Sequence, residues 1–201
     1  MFHLSGTAFE DDRLPINIQT FARPEFDALQ ATGAFKNNMD SVPLLTYNGV
    51  AIGQSMAIKC FVARHTGFMG TSDVEAARIQ NVCENLRDVA DAFKANVAGK
   101  DGEAKEAAKA SFDLKWWVNA LERSVDGHTS GDHTFAVGSK LSLADLEVHT
   151  LFTAGLPGMW MYGNNEAVAT VLKDCPKLTA IIATVDTAAK SYFESRPASA
   201  F

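Results

Sequence analysis

Asn48-Gly49 stands between two short apolar runs, VPLLTY (42–47) and VAI (50–52), and restricts the fold more tightly than any other dipeptide in the chain. A two-residue type I′ turn needs positive φ at both central positions, and Asn followed by Gly supplies this at least cost. The flanking runs are therefore predicted to pair antiparallel. Pro43 must stand at the start of its strand, because it has no N–H to give a ladder. After Gly53 the period becomes helical, with Ile58, Phe61 and Val62 at i, i+3 and i+4. Ser55 is placed to cap that helix and Gly67 to end it.

Around this hairpin the first third reads as mixed α/β. AFEDDRLPI (8–16) alternates weakly, like a strand, and PEFDALQATG (24–33) reads as a short helix started by Pro24 and stopped by Gly33. From about residue 72 the chain turns Ala-rich and charge-studded, with no convincing strand. A helix is expected over 72–98, its stripe formed by Val74, Ile79, Val82, Leu86, Val89 and Phe93. A second is expected from about Glu103 to Val125. It carries adjacent Trp116 and Trp117, of which at most one ring can face the core. Ser142-Leu143-Ala144-Asp145 reads as a capping box that opens a third helix, with Asp in the usual Glu place. Cys175-Pro176 should open a last helix reaching about Phe193. The predicted organisation is an α/β unit over 1–66 followed by an all-helical unit over 72–201.

Composition removes several function classes. The 201 residues are 47% hydrophobic with a formal net charge of -6, which argues against nucleic acid or an anionic membrane surface as the main partner. No apolar run approaches the roughly 18 residues that a membrane helix needs, and MFHLSGTAFEDDR does not read as a secretory signal. Cys60, Cys83 and Cys175 form no CxxC pair and are too widely spaced for a zinc cluster, which suits a reducing compartment; a cytoplasmic location is expected. GxSxG, GxGxxG and Walker motifs are all missing. DGHTSGDH (126–133) gathers His128 and His133 with two aspartates, but a solvated polar turn explains it with nothing further, so no metal is expected.

Gln54-Ser55 has two readings. A helix N-terminus carries unsatisfied N–H groups and the positive end of the dipole, so a Ser hydroxyl there, with a neutral amide beside it, makes a ready carboxylate site. The pair equally serves as a plain helix cap. Both readings stay open on this stretch alone.

VPLL, QSMAI, ARHTGFMG, SLADLEVH and LKDCPKL, in this order and at nearly the right spacing, together resemble a cytosolic glutathione transferase, closest to the sigma class. The resemblance runs from about Gly6 to the C-terminus. It implies a thioredoxin-like α/β domain, here incomplete, followed by an all-α helical bundle, and a homodimer that binds glutathione. It further implies that Pro43 is the cis-proline of the site loop and that Val42 pairs by backbone with the cysteinyl part of glutathione. Gln54 and Ser55 would hold the γ-glutamyl carboxylate and amine. Asp88 would reach the same amine in the partner's site, and Ser142 and Asp145 would form a structural folding cap. Which of Gln30 and Lys36 meets the glycine end stays open.

The family's catalytic tyrosine lies on a first strand that has no counterpart from Met1 onward, and Tyr47, Tyr162 and Tyr192 stand in other segments. Met1 is then expected to be an internal methionine of the family's first helix. The resemblance implies conjugation of the glutathione thiol to small electrophiles, or isomerisation with glutathione as cofactor. The alternative is a non-catalytic glutathione-transferase-like binding or structural protein.

Overall fold

Asn48 and Gly49 take φ of 49° and 77°, and the hairpin they close is the sheet around which residues 1–66 gather. The computed structural model describes residues 1–126, 134–157 and 165–196. Strands β1 (Leu44–Tyr47) and β2 (Val50–Gly53) pair antiparallel, with Leu44 opposite Gly53 and Tyr47 opposite Val50. By contact pattern the chain divides into two compact units, 1–66 and 67–201.

In the first unit, α1 (Phe2–Ser5) is a single turn, and no helix or strand follows until α2 (Pro24–Ala31). The strand expected over 8–16 does not form. β1 and β2 pair with each other alone, so this segment has no ladder partner for its N–H and C=O groups. Phe9 stays largely exposed. Helix α2 begins with Pro24, whose missing N–H costs nothing in the first turn, and Glu25 and Asp27 complement the positive end of the dipole. Phe26 turns inward and stacks on Phe35, ring centroids 5.0 Å apart, with the Arg23 guanidinium 4.2 Å above it. A 3₁₀ turn (Lys36–Asn38) and a cis Val42–Pro43 bond lead into β1. Helix α3 (Ser55–Thr66) follows β2 and buries Cys60, Val62 and Ala63.

The second unit is helical. Helix α4 (Asp73–Val97) is capped by Ser72, whose hydroxyl accepts from Glu75 N–H. The Glu75 carboxylate turns back to Thr71 and accepts from its N–H (2.6 Å) and its hydroxyl (2.7 Å). The Thr71 hydroxyl, then its backbone, holds the Glu75 carboxyl below the usual carboxylate range. Ile79, Val82, Leu86, Val89 and Phe93 are buried as the stripe predicts, while Val74, in the first turn, is exposed.

The helix expected over 103–125 is two, α5 (Gly102–Ser111) and α6 (Leu114–Asp126). The break lies at Phe112, whose backbone is extended (φ -70°, ψ 120°), and Asp113 then accepts from Trp116 N–H at 2.9 Å to start α6 afresh. The break lets the Phe112 ring meet buried Phe93 edge-on, centroids 5.3 Å apart, with Trp117 stacked behind it. Trp116 points outward.

Helix α7 (Leu143–Thr150) opens on the capping box and runs into one π turn (Leu151–Gly155). Then come α8 (Asn165–Leu172), α9 (Pro176–Ala188) and α10 (Lys190–Ser195). The last expected helix is therefore interrupted at Ala189, which leaves helical geometry (φ -98°, ψ 8°). Helices α4, α6, α7 and α9 surround a core in which Ile79, Phe93, Leu143, Leu178 and Ile181 are fully buried, each contributing about 1.5–3 kcal/mol through lost apolar exposure. No described helix is long and apolar enough to cross a membrane.

Candidate functional site

The register that sets Leu44 against Gly53 brings two separated pairs, Val42-Pro43 and Gln54-Ser55, to the same end of the hairpin. Pro43 is the cis residue of this loop, and Val42 beside it is exposed. Gln54 takes φ 67°, in the left-handed region that a non-glycine residue rarely enters. Its carbonyl accepts from Ile58 N–H at 3.0 Å, the first helical bond of α3. Gln54 thus holds the cap position, and Ser55 is the first helical residue rather than the cap expected of it. The N–H groups of Ser55, Met56 and Ala57 have no carbonyl behind them within the helix, and the first turn contains no acidic side chain. Three N–H groups, a hydroxyl and the positive end of the helix dipole face outward together. That is a seat for a carboxylate.

Asn38 holds the two pairs to each other, and nothing in KNNMD announces it. Only 4% exposed, its amide Nδ2 donates to the carbonyls of Ser41 (3.0 Å) and Pro43 (2.9 Å), while its Oδ1 accepts from Gln54 N–H (2.8 Å). Gly53 makes room for it: a Cβ there would lie 2.6 Å from Asn38 Cβ. A buried amide in a loop follows no periodicity, and the signal becomes visible only in three dimensions.

Of the two residues between which the expectation for the glycine end lay, Gln30 donates through Nε2 to Asp40 O at 2.7 Å, while Lys36 opens the 3₁₀ turn with an exposed side chain. Tyr47, the tyrosine of residues 1–66, stands at the turn end of the hairpin, three ladder steps from Gln54's end, or about 10 Å along the strand. Its hydroxyl lies 3.4 Å from His65 Nε2, and its ring meets Phe61 edge-on. Tyr162 lies outside the described residues, as do His128 and His133; among the described residues no three His, Cys, Asp or Glu are placed to hold a metal.

Asp88 belongs to the second unit, midway along α4, with an exposed side chain. In the same unit Asp145 is fully buried at the start of α7. Its Oδ2 accepts from the N–H and the hydroxyl of Ser142 (both 2.7 Å) and its Oδ1 from Ala136 N–H (2.6 Å). Burial pushes the Asp145 carboxyl up, and these bonds pull it back only in part. The cluster ties the 136 loop to α7. It is structural.

Two further polar contacts escaped the sequence reading. Glu122 of α6, nearly buried, accepts from Lys177 N–H and Leu178 N–H (3.0 Å each) and so caps α9 from another helix. His149 Nε2 lies 2.9 Å from Asp186 Oδ1, with the ring stacked on Phe193. All three cysteines are buried and unbonded to each other. The Cys175 thiol is pushed up by burial, then by Glu122 and Asp174, so it stays protonated and inert at neutral pH.

Residues 87–196 match the family described as "Glutathione S-transferase, C-terminal domain". Glutathione S-transferase 3 of Caenorhabditis elegans is 29% identical over 157 residues, covering 74% of this chain and 68% of its own. The fold is also that of a glutathione S-transferase from the hookworm Necator americanus, described as monomeric, with a TM-score of 0.75 at 21% identity over all of this chain and 90% of the other. The enzyme from Ascaris lumbricoides superposes with a TM-score of 0.73 at 22% identity over the same shares. The family match spans more than half the chain, and the chain belongs to the glutathione S-transferase family.

Proposed function

We propose that the protein is a glutathione transferase whose glutathione lies across the Val42-Pro43 loop and the N-terminus of α3. The observation that carries this reading is the left-handed Gln54, which ends β2 and presents the first N–H groups of α3 and the Ser55 hydroxyl as a carboxylate seat beside the cis-proline loop. The γ-glutamyl carboxylate takes that seat, where backbone N–H groups and the dipole favour negative charge. The Gln54 amide turns to the neighbouring amine and carboxylate. The backbone of Val42 pairs with the cysteinyl residue, as one strand adds to another. Lys36 supplies the cation for the glycine carboxylate, since the Gln30 amide is committed to Asp40.

The chemistry is attack of the glutathione thiolate on a small electrophile: a carbon–sulfur bond forms, the leaving group departs, and the thiol proton goes to water. The thiolate is the nucleophile, so binding that favours it over the thiol is what accelerates the reaction. The same thiolate can serve an isomerisation in which glutathione is regenerated. The working form is a homodimer in the cytoplasm, in which Asp88 of one copy meets the amine of glutathione held by the other.

Retention on immobilised glutathione and conjugation of a chlorodinitrobenzene-type electrophile, measured on the same preparation, test the reading. Retention with turnover is expected, and Ser55→Ala should lose about 1.5–3 kcal/mol of glutathione binding with the charged hydrogen bond. Retention without turnover selects a non-catalytic binding protein. No retention overturns the reading.

A further inference from the structure

Asn38 touches both halves of the proposed site without facing a ligand. Its Nδ2 gathers the carbonyls of Ser41 and Pro43, on either side of Val42, and its Oδ1 takes the N–H of Gln54. Asn38 is only 4% exposed, so its amide has little access to water, and there an unpaired donor or acceptor is costly and a paired one is rigid. Gln54 is the residue that benefits. Its φ of 67° is unfavourable for a side chain with a Cβ, and such a conformation persists only where its surroundings over-determine it. Asn38 Oδ1 on the N–H and Ile58 N–H on the carbonyl hold Gln54 from both sides.

The seat is shaped for Asn. The ideal Cβ at Gly53 would meet Asn38 Cβ at 2.6 Å and its Cγ and Oδ1 at 2.7 Å, so any larger residue at 53 expels the amide. Aspartate has the same outline and keeps the acceptor for Gln54. It would, however, set an oxygen against the two carbonyls that Nδ2 now serves. Alanine keeps neither bond.

We infer that Asn38 is the positioning residue of the site: it fixes the distance and orientation between the Val42 backbone and the N-terminus of α3, and so sets the affinity for glutathione. This rests on the glutathione reading above and adds to it a specific side chain. A misplacement of about 1 Å costs a catalytic site on the order of 100-fold in rate, and an affinity loss of up to that scale is expected here.

The test is calorimetric titration of the full chain with reduced glutathione, alongside a thermal melt of each protein. Asn38→Ala and Gly53→Ala should each raise the dissociation constant by about 10- to 100-fold at temperatures where both remain folded by circular dichroism. The double variant should be no worse than the weaker single, because both changes empty the same seat. Asn38→Asp, which preserves shape, should fall between wild type and alanine and keeps the test available if Asn38→Ala does not fold. A dissociation constant within twofold of wild type in folded Asn38→Asp and in either alanine variant would overturn the inference while leaving the glutathione reading intact. Failure of the wild-type protein to bind glutathione would overturn both.

Discussion

A carboxylate that accepts three hydrogen bonds at a fully buried position can be replaced by nothing of the same shape. Asp145 meets three donors, one at Oδ1 and two at Oδ2. An amide at that place would turn an NH₂ toward an N–H and leave one buried donor unpaired. Asp145→Asn should therefore destabilise the chain by about 1–3 kcal/mol, although burial raises the pKa of the native carboxyl. Denaturant unfolding followed by circular dichroism reads the loss directly; an unchanged midpoint would mean that the cap carries no weight. This residue was legible, because Ser142 and Asp145 sit three apart before an apolar run. Asn38 and Glu122 were not, because their partners lie 16 and 55 or more positions away or in irregular loops, and no local spacing marks such a contact.

At the scale of elements, the hairpin was readable since Asn48-Gly49 carries its conformation locally, and α4 since five of its six stripe residues bury as their spacing requires. Where the expectation failed, tertiary partners decided. Residues 8–16 have strand-like alternation but no strand to pair with, and the long helix expected over 103–125 parts at Phe112, where ring packing against Phe93 and the Asp113 cap outweigh propensity. Helix α9 likewise depends on α6. It starts at Pro176, and Glu122 accepts the next two N–H groups. Glu122→Ala should leave both without their acceptor and cost about 1–3 kcal/mol, with Glu122→Gln restoring part of it. If alanine and glutamine behave alike in urea unfolding, α9 is held by packing alone.

For the molecule as a whole, the order of five short motifs pointed to the family before any contact was visible, and the match over residues 87–196 carries that identity. The proposed site was legible in part: Val42, Pro43, Gln54 and Ser55 were named through the family resemblance, whereas the left-handed Gln54 and the Asn38 bridge depend on how the intervening loop returns. Glutathione is proposed to seat at this end of the hairpin. Titration of isotope-labelled protein with reduced glutathione, followed through backbone amide signals, tests it most directly. Saturable shifts are expected, largest at Val42, Gln54, Ser55 and Met56 and weaker in Ser55→Ala. Shifts that leave these amides unmoved and gather elsewhere, for instance along the open groove between Phe135, Leu141 and Thr184, would contradict it.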